Sequence, residues 1–155
     1  MSDMEKKFGL GETIVLGSHT FGAEEIVTFA SKYDPQPFHL TQEAAEKSVF
    51  GNLCASGWHT ISVWMRHNAA AFADTVERSR AYGDPIEYGP AAGLKDLKWL
   101  KPVYVGDTIT FTRTPRTIRA LASRPGWYLL NSLCGAINQK GEPVMSFEVN
   151  VLMKG

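Results

Sequence analysis

Charge of one sign is missing from this sequence. The 155 residues carry 16 Lys and Arg against 16 Asp and Glu, for a formal net charge of zero. That balance excludes a whole-surface basic field for nucleic acid or anionic membrane and leaves only local patches. Long apolar runs are missing too. The stretch around Ala69–Ala73 is short and mostly alanine, far below the roughly 18 residues that span a bilayer. The opening Met1–Lys7 contains acids and has no apolar segment behind it, so no signal peptide and a cytoplasmic location are expected. Cysteine is scarce: Cys54 and Cys134 form no CxxC pair, and two free thiols are expected in a reducing compartment.

Several chemical signatures are also absent. Gly9-Leu10-Gly11 has Ile14 where a dinucleotide fingerprint needs its third glycine, and no Gly-Lys-Ser/Thr phosphate loop occurs. Ser56 has Cys54 two residues before it, so a nucleophile elbow lacks its first glycine. His19, His39, His59 and His67 do not cluster with Cys or carboxylates at metal spacing, so no metal site is expected. No acid lies between Asp107 and Glu142, a window that holds Arg113, Arg116, Arg119, Arg124 and Lys140. A solvated sheet face, balanced by acids elsewhere, accounts for it.

What is present fits a single domain over residues 1–155, large enough to build a core without metal or disulfide staples. Thr13–Thr20 reads as a strand, and Ala23–Tyr33 as an amphipathic helix with Ile26, Phe29, Ala30 and Tyr33 on one side. Pro35 and Pro37 then forbid helix. Thr41 caps a short helix over Gln42–Ser48. A helix from Ser56 to about Phe72 carries Trp58, Ile61, Met65 and Phe72 at helical spacing. Val63, Trp64 and alanines occupy its other faces, so it should be enclosed by protein. Leu94–Val103, Thr108–Leu121, Trp127–Asn138 and Pro143–Leu152 are rich in β-branched and aromatic residues and are parted by turn sequences. An antiparallel sheet of about five strands wrapped around one long helix follows, an α+β fold.

Two segments carry chemistry. In Asp34-Pro35-Gln36-Pro37-Phe38-His39 the acid and the histidine are too far apart when extended, roughly 17 Å, to share hydrogen bonds. The prolines favour a turn that returns one side chain to the other. The pair then makes an acid/base couple for a water molecule. Alternatively the segment is a rigid connector, with Asp34 capping a turn and His39 satisfied in the wall. In Ala55-Ser56-Gly57-Trp58, Ser56 is a good N-cap, and Gly57 leaves an uncovered N–H at the positive end of the helix. Such an amide suits a thioester oxygen turning enolate-like. Alternatively Gly57 serves only close packing.

Together these residues resemble the MaoC-like dehydratases and (R)-specific enoyl-CoA hydratases, whose motif runs Asp-x-Asn-Pro-x-His, a helix, and a glycine opening the long central helix. Here it is Asp34-Pro35-Gln36-Pro37-Phe38-His39, Gln42–Ser48, then Phe50 and Gly57. Pro102-Val103-Tyr104-Val105-Gly106-Asp107 is similar to the family's Pro-Val-x-x-Gly-Asp. The resemblance runs from about Ile14 to Val151 and implies a hotdog fold. It also implies a hydro-lyase that adds water to a 2-enoyl thioester, or removes it from a 3-hydroxyacyl thioester, with no metal or redox cofactor. Under it Asp34 and His39 hold and activate the water and the Gly57 N–H binds the thioester carbonyl. Ser56, Gln36 and Trp58 join the substrate site, with Phe38 and Trp64 as further candidates for the acyl wall.

Gln36 replaces the family's usual Asn, and Ser31-Lys32-Tyr33 precedes Asp34 in place of Ser-Gly, which leaves the substrate open. The resemblance further implies a homodimer or higher homo-oligomer acting on acyl-CoA in fatty acid metabolism, with arginines of the acid-free window offering phosphate contacts. The rival readings are a hotdog acyl-CoA thioesterase and a non-catalytic acyl-CoA-binding module.

Overall fold

The computed structural model describes residues 1–155. In chain order the helices are α1 (Asp3–Lys7), α2 (Ala23–Tyr33), α3 (Gln42–Glu46), α4 (Gly57–Ala70) and α5 (Phe72–Ser79), and the strands are β1 (Ile14–Thr20), β2 (Glu87–Trp99), β3 (Thr108–Ala120), β4 (Trp127–Ile137) and β5 (Pro143–Lys154). Single 3-10 turns cover Pro37–His39 and Arg80–Tyr82.

The strands form one five-stranded antiparallel sheet in the order β1-β3-β4-β5-β2. As expected, β3, β4 and β5 make a meander. Gly126 and Gly141 close its two hairpins at φ 79° and 75°, a region that glycine enters without a Cβ clash. Alternation along β3 sends Ile109 and Phe111 inward, and β5 does the same with Met145 and Phe147. These side chains close on Val63 and Trp64 of α4, so the sheet wraps the helix in the expected hotdog arrangement. The Trp64 ring meets Phe147 edge-on at 4.8 Å, and its Nε1–H donates to the Thr112 carbonyl at 3.0 Å. A smaller cluster of Phe8, Ile86, Leu130 and Met153 seats the N-terminal segment against the far end of the sheet. No helix is long and apolar enough to cross a membrane.

Two expectations are corrected. The buried face of α4 is His59, Thr60, Val63, Trp64 and Asn68, whereas Trp58 and Met65 are about half exposed. Polar residues therefore occupy much of the inward face, and the apolar spacing alone points to the open side. The helix itself ends at Ala70, within two residues of the expected end, and α5 follows it directly. Finally, β2 begins at Glu87, well before Leu94. Its Gly89-Pro90 start suits an edge strand, where a missing N–H breaks no ladder on the free side. The shorter shifts at the ends of the other elements are of one or two residues.

Candidate active site

Asp34 ends α2, and its backbone N–H still bonds the Ala30 carbonyl at 2.9 Å. The Gln36 N–H then returns to the Asp34 carbonyl at 2.8 Å, so Asp34-Pro35-Gln36 closes a three-residue γ-turn that the proline ring holds in its inverse form. Pro37 starts the 3-10 turn that ends at His39, and the His39 N–H bonds the Gln36 carbonyl at 3.0 Å. These two tight turns fold the segment back. The Asp34 Oδ2 and His39 Nε2 atoms lie 3.4 Å apart, and both side chains are largely buried.

The other ring nitrogen fixes the tautomer. His39 Nδ1 is 2.6 Å from the Cys54 carbonyl oxygen, which can only accept, so Nδ1 carries the proton. In the neutral ring Nε2 is then an acceptor, 3.4 Å from Asp34 Oδ2. The remaining carboxylate positions are held by donors. Ser56 Oγ donates to Oδ2 at 2.8 Å, and Gln36 Nε2 donates to Oδ1 at 2.7 Å. Charge-assisted bonds of this kind fix orientation better than neutral ones.

Helix α4 begins beside them. The Ser56 hydroxyl also accepts from the Trp58 N–H at 3.3 Å, the expected N-cap. The Gly57 N–H has no acceptor within the protein and sits at the positive end of α4. A Cβ at Gly57 would stand 2.2 Å from Trp99 Cε2, so this glycine also admits the Trp99 indole. Gly57 thus combines an unbonded amide with close packing.

Asp34, His39, Gly57, Trp58 and Trp99 line one cavity of about 470 Å³, within the range of small-ligand sites. Cys54 Sγ lies 3.7 Å from His39 Nδ1, a spacing that suggests a Cys–His nucleophile. Burial and the neighbouring Asp34 charge push the Cys54 thiol up to about 11, so it stays protonated near neutral pH and serves through its carbonyl.

The expected site residues therefore separate by position. Asp34, His39, Gly57, Gln36 and Trp58 reach the cavity together with Phe38. Ser56 does not: it is fully buried, and its hydroxyl holds Asp34 and the helix start. Trp64 belongs to the core. The arginines of the acid-free window do not share one environment, and Arg119 is exposed. Arg113 takes an inward position on β3 and is buried, Arg116 pairs with Glu148, and Arg124 lies over the Trp127 ring. Both cysteines are free and buried. Trp99 and the Cys54 carbonyl are site members that sequence reading missed. The Trp99 signal was its place just before Pro102-Val103, while a backbone carbonyl leaves no trace in residue types.

Comparison with known proteins places the fold among solved MaoC-like structures. The family described as "MaoC like domain" matches residues 23–120. The crystal structure of a MaoC-like dehydratase from Rhodospirillum rubrum is 31% identical, with a TM-score of 0.79 over 96% of this chain and 94% of that one. The uncharacterized protein YdeM of Bacillus subtilis (strain 168) is 29% identical over 148 residues, 96% of each chain. An (R)-hydratase from A. caviae involved in PHA biosynthesis shares the fold at 22% identity, with a TM-score of 0.65 over 94% of this chain and 95% of that one.

Proposed function

The chain belongs to the MaoC-like domain family, and from that membership we propose that it is a hydro-lyase. It adds water across the double bond of a 2-enoyl-CoA or removes it from a 3-hydroxyacyl-CoA. One observation carries the reading: Asp34 Oδ2 and His39 Nε2 stand 3.4 Å apart on the wall of a cavity that also holds the unbonded Gly57 N–H.

In this reading a single water donates to both acceptors and turns a lone pair toward the substrate. Its oxygen bonds the β-carbon while one of its protons passes to the Asp34/His39 pair. The electron pair of the double bond moves onto the thioester oxygen, where the Gly57 N–H and the α4 dipole meet the developing charge. The enolate then collapses, and its α-carbon takes the proton back from the pair. Atoms balance with substrate and water alone. Gln36 and Ser56 act as positioning residues for Asp34, and Trp58, Trp99 and Phe38 wall the acyl group.

A homo-oligomer completes the proposal. The edge strand β2 is exposed along most of its length, including Leu94, and Trp58, Met65 and Trp99 leave further apolar surface open. An unpaired edge of this kind is normally covered, and a second copy is the occupant we assign.

Purified protein with crotonyl-CoA and longer or branched enoyl-CoA thioesters tests the activity. Loss of conjugated enoyl absorbance without release of free thiol is expected. Thiol release with enoyl absorbance otherwise unchanged overturns the reading in favour of thioester hydrolysis, and tight binding without turnover overturns it in favour of a binding module.

A further inference from the structure

A second cavity, of about 550 Å³, lies behind α4, between the sheet, α1 and α5. It shares no lining residue with the cavity at Asp34 and His39. Trp64, Phe72, Tyr88, Leu130 and Val151 give it a largely apolar wall, and into this wall projects Arg113, only 5% exposed.

The environment of Arg113 is unusual for a buried cation. Its Nη1 donates to Asn68 Oδ1 and its Nη2 to Thr75 Oγ1 at 3.1 Å, both neutral acceptors. The guanidinium centre lies 6.0 Å from the Tyr88 ring centroid. It forms no ion pair, whereas the exposed Arg80 and Arg116 do. The wall carries two carboxylates, Glu12 and Glu77; neither pairs with Arg113, and Glu77 is engaged by Arg80. Lys6, Lys7 and Arg78 add positive charge around the cavity. The C-terminal end of α4 offers Arg113 only a partial negative charge.

Burying a cation without a counter-charge is costly, and retained buried charges are paired or hydrogen-bonded throughout. Of five guanidinium N–H groups, two reach protein acceptors here, which leaves three donors for a further acceptor such as a carboxylate. We propose that this cavity binds the carboxylate of a small, largely apolar acid, with Arg113 as its anion partner and the aromatic and aliphatic wall around its body. The carboxylate belongs either to a free acid or to the far end of a thioester-linked chain. The site stands on its own contacts and does not depend on the hydratase reading.

Binding, not turnover, tests it. Calorimetric titration of the full chain with decanoate is expected to saturate, and decanol, the neutral counterpart, to bind much more weakly. Arg113→Met is expected to weaken decanoate by roughly 10- to 100-fold, the scale of one charge-assisted contact. With no ligand present it should unfold at a temperature no lower than wild type, because it removes an unpaired buried charge. Ala91→Trp places an indole at an exposed wall position on β2 and should also weaken decanoate binding by narrowing the cavity. The mono-CoA thioester of decanedioic acid separates the two sources: displacement of decanoate assigns the carboxylate to a thioester chain, and coexistence with it assigns a free acid. Either supports the site. Equal binding of decanoate and decanol, no decanoate binding at millimolar concentration, or undiminished decanoate binding by both variants overturns it.

Discussion

The Ser56 hydroxyl donates to Asp34 Oδ2 at 2.8 Å while accepting from the Trp58 N–H, so one side chain holds both the carboxylate and the start of α4. The acid is thereby locked to the start of α4. Ser56→Ala removes both bonds. We expect a loss of about 2–5 kcal/mol in stability, the sum of a lost cap and a lost charge-assisted bond. Hydration kcat should fall about tenfold with KM nearly unchanged, because Asp34 loses its orientation and the substrate loses no contact. Denaturant unfolding and steady-state kinetics on the same variant check both; a changed KM with intact kcat would contradict the positioning role.

Gly57→Ala keeps the helix amide but places a methyl group 2.2 Å from the Trp99 indole. The ring must move, and the cavity wall with it. Hydratase kcat/KM should drop at least ~10-fold, on the scale of a misplaced substrate. Adding Trp99→Val should restore part of that loss, since the N–H was never removed. If the second substitution deepens the defect, steric displacement of Trp99 is not its cause.

His59 is buried on the inner face of α4 between Phe29, stacked at 4.7 Å, and Phe21, edge-on at 5.0 Å, and its Nδ1 has no partner. Burial lowers its pKa from 6.5; the Glu25 charge opposes that shift and His19 adds to it. The unfolded chain therefore binds a proton more readily than the folded one. Stability is full above about pH 6.5, falls as pH drops through that value, and levels off below the folded pKa. His59→Phe should flatten this part of the curve, as measured by urea unfolding between pH 5 and 8. Parallel slopes for the two proteins would contradict the assignment.

Leu94 is half exposed on the edge strand β2. Light scattering after size exclusion should give the mass of at least two chains, and Leu94→Asp should shift the population toward monomer. A monomer at micromolar wild-type concentration would remove the second copy from the account.

The sequence made some of this legible and hid the rest for physical reasons. The Asp34/His39 approach could be anticipated because two prolines leave few paths between them. The meander followed from β-branched runs parted by turn residues. The inward face of α4 was misjudged because His59, Thr60 and Asn68 are buried by tertiary contacts that periodicity does not weigh. Gly89-Pro90 disguised the start of β2, and Trp99 joins the site only because β2 carries it across the fold to Gly57. Arg113 read as part of a solvated window, yet strand alternation turns it into the interior.

The central claim is that one carboxylate and one imidazole act on a single water. Asp34→Asn keeps the size of the side chain and removes its capacity as a base. Hydration of crotonyl-CoA by this variant, with its fold verified by circular dichroism, tests the claim most directly. A fall in kcat of roughly 10²- to 10⁴-fold with the thioester still bound is the expected result. Wild-type turnover by the folded variant would contradict it.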